Sequence, residues 1–393
     1  MANFLQKNTP FVLNLLYCIK LILLLCSIIG ITGAFFVWAL QKVTIFRETH
    51  SYCYALLPLI GFLMGKLYQT WGSKVQQGNA LIYQEIKDPV DPLPFRMAPM
   101  IFIATILTHL AGGSAGREGT AIQLGGSIAD QIAKFTKNPF QTRRAILLAG
   151  IAGGIAAVFG TPLTGFLFAF EVTKCTSKWY EGLFVLCTAL GAWFIAGQTG
   201  IEHTEYIISA YDFSFNFLLW ICISGIIFGF SAILFINSLK FTQFWAMQLF
   251  PDPAIRATVG GVCLLILFQV IAFRSFAGLS TDGIASAFET QSDWFQWVAK
   301  TGFTVLTLGT GWKGGEVTPL FYIGSTLGSW LSVWIPVSAS FLAGAGLVSV
   351  FGAVAQTPIA CTVLALELFG IQALPMGIVC LVAAVVAKTG VSH

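Results

Sequence analysis

A largely apolar run from about residue 11 to residue 40 follows the short polar start MANFLQKNTP. It exceeds the roughly 20 residues that cross a bilayer as a helix. It is also too long for a signal-peptide core and has no small-residue cleavage site, so the pattern predicts a retained first membrane helix. Beyond it, apolar stretches alternate with short polar loops, leaving room for roughly ten to thirteen membrane segments. Several stretches are shorter than a span and are cut by Gly or Pro: 161–172, 358–370 and the Gly-rich run before Glu118. Irregular backbone at membrane depth persists only where protein or water satisfies its polar groups. Broken helices at matching places in two halves point to a binding site near the midplane.

Composition narrows the class. Of 393 residues, 56% are hydrophobic and only 10% are charged, against about 25% charge in an ordinary soluble domain. Too few polar side chains exist to cover soluble domains, so the chain reads as an integral, multi-pass membrane protein. The net charge of +4 is small and scattered, which excludes nucleic acid as a partner. The nine Cys are odd in number, lie mostly in apolar runs and form no CxxC, which predicts packed thiols rather than a disulfide framework. The dispersed His50, His109, His203 and His393 give no metal centre, and no cofactor is expected. The chain stops soon after its last apolar run, so no cytosolic regulatory domain is expected within it.

Internal similarity sets the architecture. AGIAGGIAAVFGTPLTGFLFAFEV (149–172) resembles AGLVSVFGAVAQTPIACTVLALEL (345–368), with Pro162 over Pro358 and Glu171 over Glu367, both at 358 − 162 = 367 − 171 = 196. Upstream, GREGT (116–120) aligns with GGEVT (314–318) at an offset of 198, which places Glu118 over Glu316 and Thr120 over Thr318. Two blocks in the same order at nearly one offset mark a duplication, with membrane repeats at about 1–200 and 201–393. Lys7, Lys20, Lys66, Lys74, Lys87 and Arg96 contrast with a mid-chain loop, 201–215, that carries Glu202, Glu205 and Asp212 but no Lys or Arg. The positive-inside rule then puts the N-terminus inside and that loop outside. The first half crosses an odd number of times and the second half is inverted, a plan common among secondary transporters.

The richest chemistry lies in AGGSAGREGTAIQLGGS (111–127). Ala121 onward reads as a helix, with Glu118 in the turn that starts it. Free N–H groups and the dipole at such a terminus attract anions. A tethered carboxylate there occupies an anion's place and lets go when protonated, which describes a gate exchanging a proton for an anion. The alternative is a structural Arg117–Glu118 pair capping the helix. The matching stretch GTGWKGGEVTP (309–319) presents Glu316 and the Thr318 hydroxyl before another helix, with Pro319 suited to an early helical position. Glu316 is either a second proton carrier or a group that holds nearby backbone and hydroxyl groups in place. Asn79, after Gly78, offers two amide donors or is simply a turn residue. Glu171 and Glu367 end short helices in equivalent places and read as structural. The spacings Gly150-x-x-x-Gly154 and Gly324-x-x-x-Gly328 fit close helix packing.

An enzyme is a weaker reading. GGSAG (112–116) formally matches G-x-S-x-G with Ser114 as nucleophile, but the motif needs a strand before it and a base nearby. Here it lies in a membrane segment with His109 as the nearest candidate base. No Gly-Lys-Ser/Thr follows the glycines, so they are not a nucleotide loop.

These residues resemble the CLC family of anion channels and anion/proton exchangers. GREGT is similar to that family's Gly-Lys/Arg-Glu-Gly-Pro signature, GGEVTP (314–319) to its Gly-Gly-x-Phe-x-Pro signature, and TPLTGFLFAFE (161–171) to the stretch that follows in the first half. The resemblance covers nearly the whole chain. It departs from chloride-type members in several places: Asn79 stands in place of their central Ser, Val317 in place of Phe, Glu316 in place of an apolar residue and Thr120 in place of Pro. Val172 stands where their internal proton-transfer Glu lies, and no match to their late central Tyr precedes His393. These changes are similar to the fluoride branch, whose members export fluoride in exchange for protons.

The resemblance implies an all-α CLC-like protein of two inverted repeats of tilted, partly broken helices, forming a homodimer in the cell (plasma or inner) membrane with a pathway in each subunit. Glu118 is the implied gate and proton carrier. The implied anion-binding set is Asn79, Thr318, Gly119, Thr120 and Val317, with Arg117 structural. Fluoride is small and strongly hydrated, so its site needs strong donors. The rival functions are a chloride-type exchanger or passive anion channel, the Ser114 hydrolase, and a non-transporting membrane scaffold that leaves the paired carboxylates unexplained.

Overall fold

A computed structural model describes residues 2–135, 142–200 and 206–390, with side chains from Leu15 onward. Glu202, His203, Glu205 and His393 lie outside the described residues, as does the side chain of Lys7. Sixteen α-helices follow one another, with no strand among the described residues. The first eight are α1 (Ala2–Thr49), α2 (Leu57–Trp71), α3 (Asn79–Lys87), α4 (Met97–Ala111), α5 (Glu118–Phe135), α6 (Arg143–Phe159), α7 (Pro162–Thr173) and α8 (Trp179–Gly197). The next eight are α9 (Phe215–Leu249), α10 (Pro253–Leu267), α11 (Thr281–Glu289), α12 (Trp294–Gly309), α13 (Val317–Leu331), α14 (Ala339–Ala355), α15 (Pro358–Phe369) and α16 (Met376–Gly390). Helix starts recur at nearly one spacing: 253 − 57, 339 − 143 and 358 − 162 all equal 196.

Four helical stretches are long and apolar enough to cross a membrane: Leu15–Thr49, Trp179–Gly197, Phe215–Leu249 and Ile371–Gly390. Others are short for definable reasons. Gly160 (φ 81°) closes α6 in the left-handed conformation and Pro162 opens α7 at its first position. Gln356 (φ 56°) and Pro358 do the same between α14 and α15. A left-handed cap followed by a proline with no N–H to satisfy ends one helix and starts the next. The Gln356 amide answers carbonyls at that break, donating to Ala353 O (2.7 Å) and Ala384 O (3.2 Å). At 12 residues, α7 and α15 rise about 18 Å, well short of the roughly 30 Å hydrocarbon core.

The chain forms two compact units, each assembled from separated segments. One comprises 1–37, 77–98 and 121–202. In it α5 and α6 touch backbone to backbone: a Cβ on Gly150 would stand 2.5 Å from Gly125 O. Near the start of α6, Arg143 donates to Asp130 (2.6 Å) and Glu85 (2.9 Å). Asp130 in turn accepts from Leu93 N, and Glu85 accepts from Val90 N and Asp91 N. One guanidinium thus fastens α3, α5 and the loop 88–93.

The other unit comprises 38–76, 99–120 and 203–393. Its tightest seam runs between α13 and α14, where Gly324 lies against the backbone of Gly346 and Gly328 against that of Leu342. Small residues let helix backbones approach closely enough for dispersion contacts to act without a hydrophobic driving force. The boundary between the units falls inside α5, so its first turn, Glu118–Thr120, belongs to this second unit.

Candidate functional site

Two irregular loops, 112–117 before α5 and 310–316 before α13, meet in the second unit. Gly116 N donates to Gly315 O (2.5 Å) and Gly315 N to Gly116 O (2.7 Å), a two-way bridge. Gly112 (φ 95°) and Gly311 (φ 97°) hold matching left-handed positions that side chains rarely adopt. Gly116 is required for space: a Cβ there would lie 2.7 Å from Glu118 Oε2. The bridge therefore sets the starts of α5 and α13 side by side.

Glu118 is the first residue of α5, three residues earlier than the sequence pattern placed the helix start, and is only 2% exposed. Its carboxylate turns toward α13. Oε1 accepts from Thr318 Oγ1 (2.5 Å), and Oε2 accepts from Thr318 N (3.1 Å) and Arg117 N (3.0 Å). The Arg117 guanidinium is a looser partner, at 3.7 Å. Thr318 is the second residue of α13, so its N–H is one of the donors a helix start leaves unsatisfied. The carboxylate sits where such a terminus receives an anion.

The remaining expected residues divide. The Gly119 N–H is likewise a first-turn donor of α5, and its nitrogen lies 2.7 Å from where a Cβ on Gly315 would stand. The Thr120 hydroxyl is engaged with Thr105 Oγ1 (2.7 Å). Val317 opens α13 and is buried, and Pro319 stands two residues later, where no intrahelical donor is needed. Glu316 is the N-cap of α13 and half-buried, and among the described residues its carboxylate has no hydrogen-bond or ion-pair partner. It holds no backbone or hydroxyl group in this arrangement. Glu171 and Glu367 are half-buried near the ends of α7 and α15.

Asn79 belongs to the first unit, as the first residue of α3, after Gly78 with φ 57°. Its Oδ1 is buried with no hydrogen-bond partner. The sequence reading missed Gln123, a buried amide on α5 whose Nε2 lies 3.2 Å from where a Cβ on Gly78 would stand. A single amide in the apolar run AIQLGG was the available signal.

Ser114 and His109 form no serine–histidine couple. Ser114 Oγ pairs with Thr304 Oγ1 (3.0 Å), while the His109 ring nitrogens face the carbonyls of Thr105 (2.8 Å) and Ala115 (3.0 Å). A nucleophile needs its base within hydrogen-bond reach.

A polytopic helical fold with a carboxylate seated at the meeting of two helix starts defines the class. The chain belongs to the voltage-gated chloride channel (CLC) family, which it matches over residues 60–388. It is similar to the chloride/fluoride channel protein of Pseudomonas syringae pv. tomato, with 39% identity over 98% of this chain and 86% of that protein. The H(+)/Cl(-) exchange transporter ClcA of Yersinia pestis is 28% identical over 75% of this chain and 66% of that protein. Among solved structures, a CLC-type fluoride/proton antiporter superposes with TM-score 0.89 at 33% identity, covering 94% of this chain and 95% of that one. A slow cyanobacterial Cl-/H+ antiporter shares the fold at TM-score 0.83 and 21% identity, over 95% and 94% of the two chains.

Proposed function

We propose that the protein exports fluoride in exchange for protons across the cell membrane, as a homodimer with a pathway in each subunit built from two inverted repeats. Glu118 is its gate. The observation that carries this reading is the seating of the Glu118 carboxylate on Thr318 N–H, the Thr318 hydroxyl and Arg117 N–H. The departures from the chloride-type pattern at Asn79, Glu316 and Val317 favour fluoride, as do the names of the 39% relative and the 33% structure.

In the proposed cycle, ionised Glu118 fills the anion's seat. Protonation removes its charge and loosens its hold on the three donors, which an arriving anion then takes. Two negative charges repel at one small set of donors, so anion arrival and proton binding are linked, each changing the affinity for the other. Fluoride is compact, and short N–H and O–H donors replace its hydration better than they replace that of chloride. Anion efflux from liposomes, comparing fluoride with chloride while recording pH, tests the reading. Fluoride efflux with proton uptake is expected. Chloride efflux of equal or greater rate points to the chloride-type exchanger, and fluoride flux without proton movement to a channel.

A further inference from the structure

One side of α12 carries three buried polar side chains, Lys300, Thr304 and Thr307, at the i, i+4, i+7 spacing that stacks them on a single helix face. Two of them meet the loop that leads to Glu118. Thr307 Oγ1 donates to Phe303 O (2.7 Å) on its own helix and accepts from Ser114 N (3.1 Å). Thr304 Oγ1 pairs with Ser114 Oγ (3.0 Å). Helix and loop lie in close contact: a Cβ on Gly113 would stand 3.2 Å from Thr307 Cγ2.

Lys300 acts one step removed. Its Nζ, fully buried, donates to Phe276 O (3.1 Å), Gly278 O (2.9 Å) and Ser280 Oγ (2.9 Å), which fastens the segment 276–280 to α12. Gly278 N in turn donates to Gly113 O (3.2 Å). Arg47 closes the same corner: its guanidinium donates to His109 O (3.1 Å) and fills the space that a Cβ on Gly278 would need. A buried polar end is costly unless its partners are supplied. Here those partners belong to irregular backbone that itself holds the gate loop. The loop 112–117 is thus fixed at both ends, at Gly116 by the bridge to Gly315 and at Gly113 and Ser114 from α12.

We propose that Lys300, Thr304 and Thr307 are positioning residues of the gate, which hold this loop in one place while the Glu118 carboxylate leaves and re-enters its seat. The need follows from the donors. Arg117 N–H belongs to the loop, and a departing carboxylate gives up the contacts to Thr318 that tie the start of α5 to α13. A loop that relaxed at that moment would turn a donor away and loosen the seat, and fluoride would pass with no proton taken up. Donors fixed beforehand receive an incoming charge without reorganising. The effect on coupling rests on the function proposed above; the hold of α12 on the loop does not.

Amide hydrogen exchange of the full chain in detergent, read by mass spectrometry over residues 112–117, tests the hold without a transport assay. Thr307→Val and Thr304→Val keep the side-chain shape and lose the hydroxyl. Each should speed exchange there by about fivefold or more, the scale of one hydrogen bond, and Thr307→Ser should restore it. Thr301→Val, whose hydroxyl donates within its own helix, should change nothing. Lys300→Met should speed exchange in both 276–280 and 112–117, and a rise confined to 276–280 would remove Lys300 from the set. In liposomes, the protons moved per fluoride should fall in Thr307→Val and return in Thr307→Ser. A merely structural defect lowers the amount of active protein and leaves that ratio alone. Unchanged exchange in both valine variants overturns the proposal, and so does faster exchange at the wild-type ratio. A wild-type chain that carries no fluoride refutes the transport reading, while the exchange measurement still decides whether α12 holds the loop.

Discussion

Thr318 gives both its backbone N–H and its hydroxyl to the carboxylate of Glu118, 200 residues earlier in the chain. One short segment thus supplies two of the three donors that hold a buried charge at the meeting of two helix starts. In the proposed cycle, this arrangement ties the occupancy of the seat to the protonation of one side chain.

Replacing the titratable group while keeping its shape tests that tie. Glu118→Gln cannot take up or release a proton in the working pH range, so fluoride-driven proton uptake by liposomes should disappear. Anion flux through the variant, whether fast or slow, should leave the internal pH unchanged. Proton uptake at the wild-type ratio would remove Glu118 from the gate.

Asn79 tests selectivity. Its Oδ1 is buried without a partner, so shortening the side chain breaks no hydrogen bond at that atom and the fold should survive Asn79→Ser. A hydroxyl supplies one donor where an amide supplies two, so the fluoride-to-chloride permeability ratio should fall. An unchanged ratio, measured on the same liposomes, would assign selectivity to backbone donors.

The first unit offers a prediction about stability. Arg143 is the shared partner of Asp130, whose side chain is 1% exposed, and Glu85, which is 6% exposed. Arg143→Ala leaves both carboxylates without it. Removing one partner of a buried ion pair costs about 3–5 kcal/mol, and because Arg143 itself is 27% exposed the loss should sit near the lower figure. Thermal unfolding in detergent should show a clear drop in Tm, and limited proteolysis should cut the loop 88–93 faster. A wild-type Tm would show the network to be incidental.

Much of the site was legible because the chain states it twice. GREGT and GGEVT, at an offset near half the length, mark Glu118 and Thr318, which the structure brings together, and the prolines at 162 and 358 mark the short helices. The Gly116–Gly315 bridge was not legible, because two glycines 199 residues apart carry no pairing signal. Arg47 and Lys300 escaped for a related reason. Each is a single cation in an apolar run, and its acceptors are carbonyls of distant segments, at His109 for one and at Phe276 and Gly278 for the other. The pairing of the Thr120 hydroxyl with that of Thr105 was not legible either, since nothing in the sequence joins the two.

The last prediction separates the roles of Thr318 and Glu316. Thr318→Val keeps the shape of the side chain and removes the hydroxyl. A hydrogen bond to a charged group contributes about 1.5–3 kcal/mol, so fluoride binding should weaken by roughly ten- to a hundredfold. Calorimetric titration giving wild-type affinity would exclude the hydroxyl as a donor. Glu316 differs, since its half-buried carboxylate has no partner among the described residues. Glu316→Gln therefore breaks no contact, and the amide avoids the cost of partly burying an unpaired charge, so its Tm should match or exceed that of the wild type. If Glu316 carries the second proton, the same variant should lose proton flux at that unchanged stability. If it only orients donors during transport, the amide can still hydrogen-bond, and the exchange should slow but remain coupled. Proton and fluoride fluxes measured together on Glu316→Gln decide between the two.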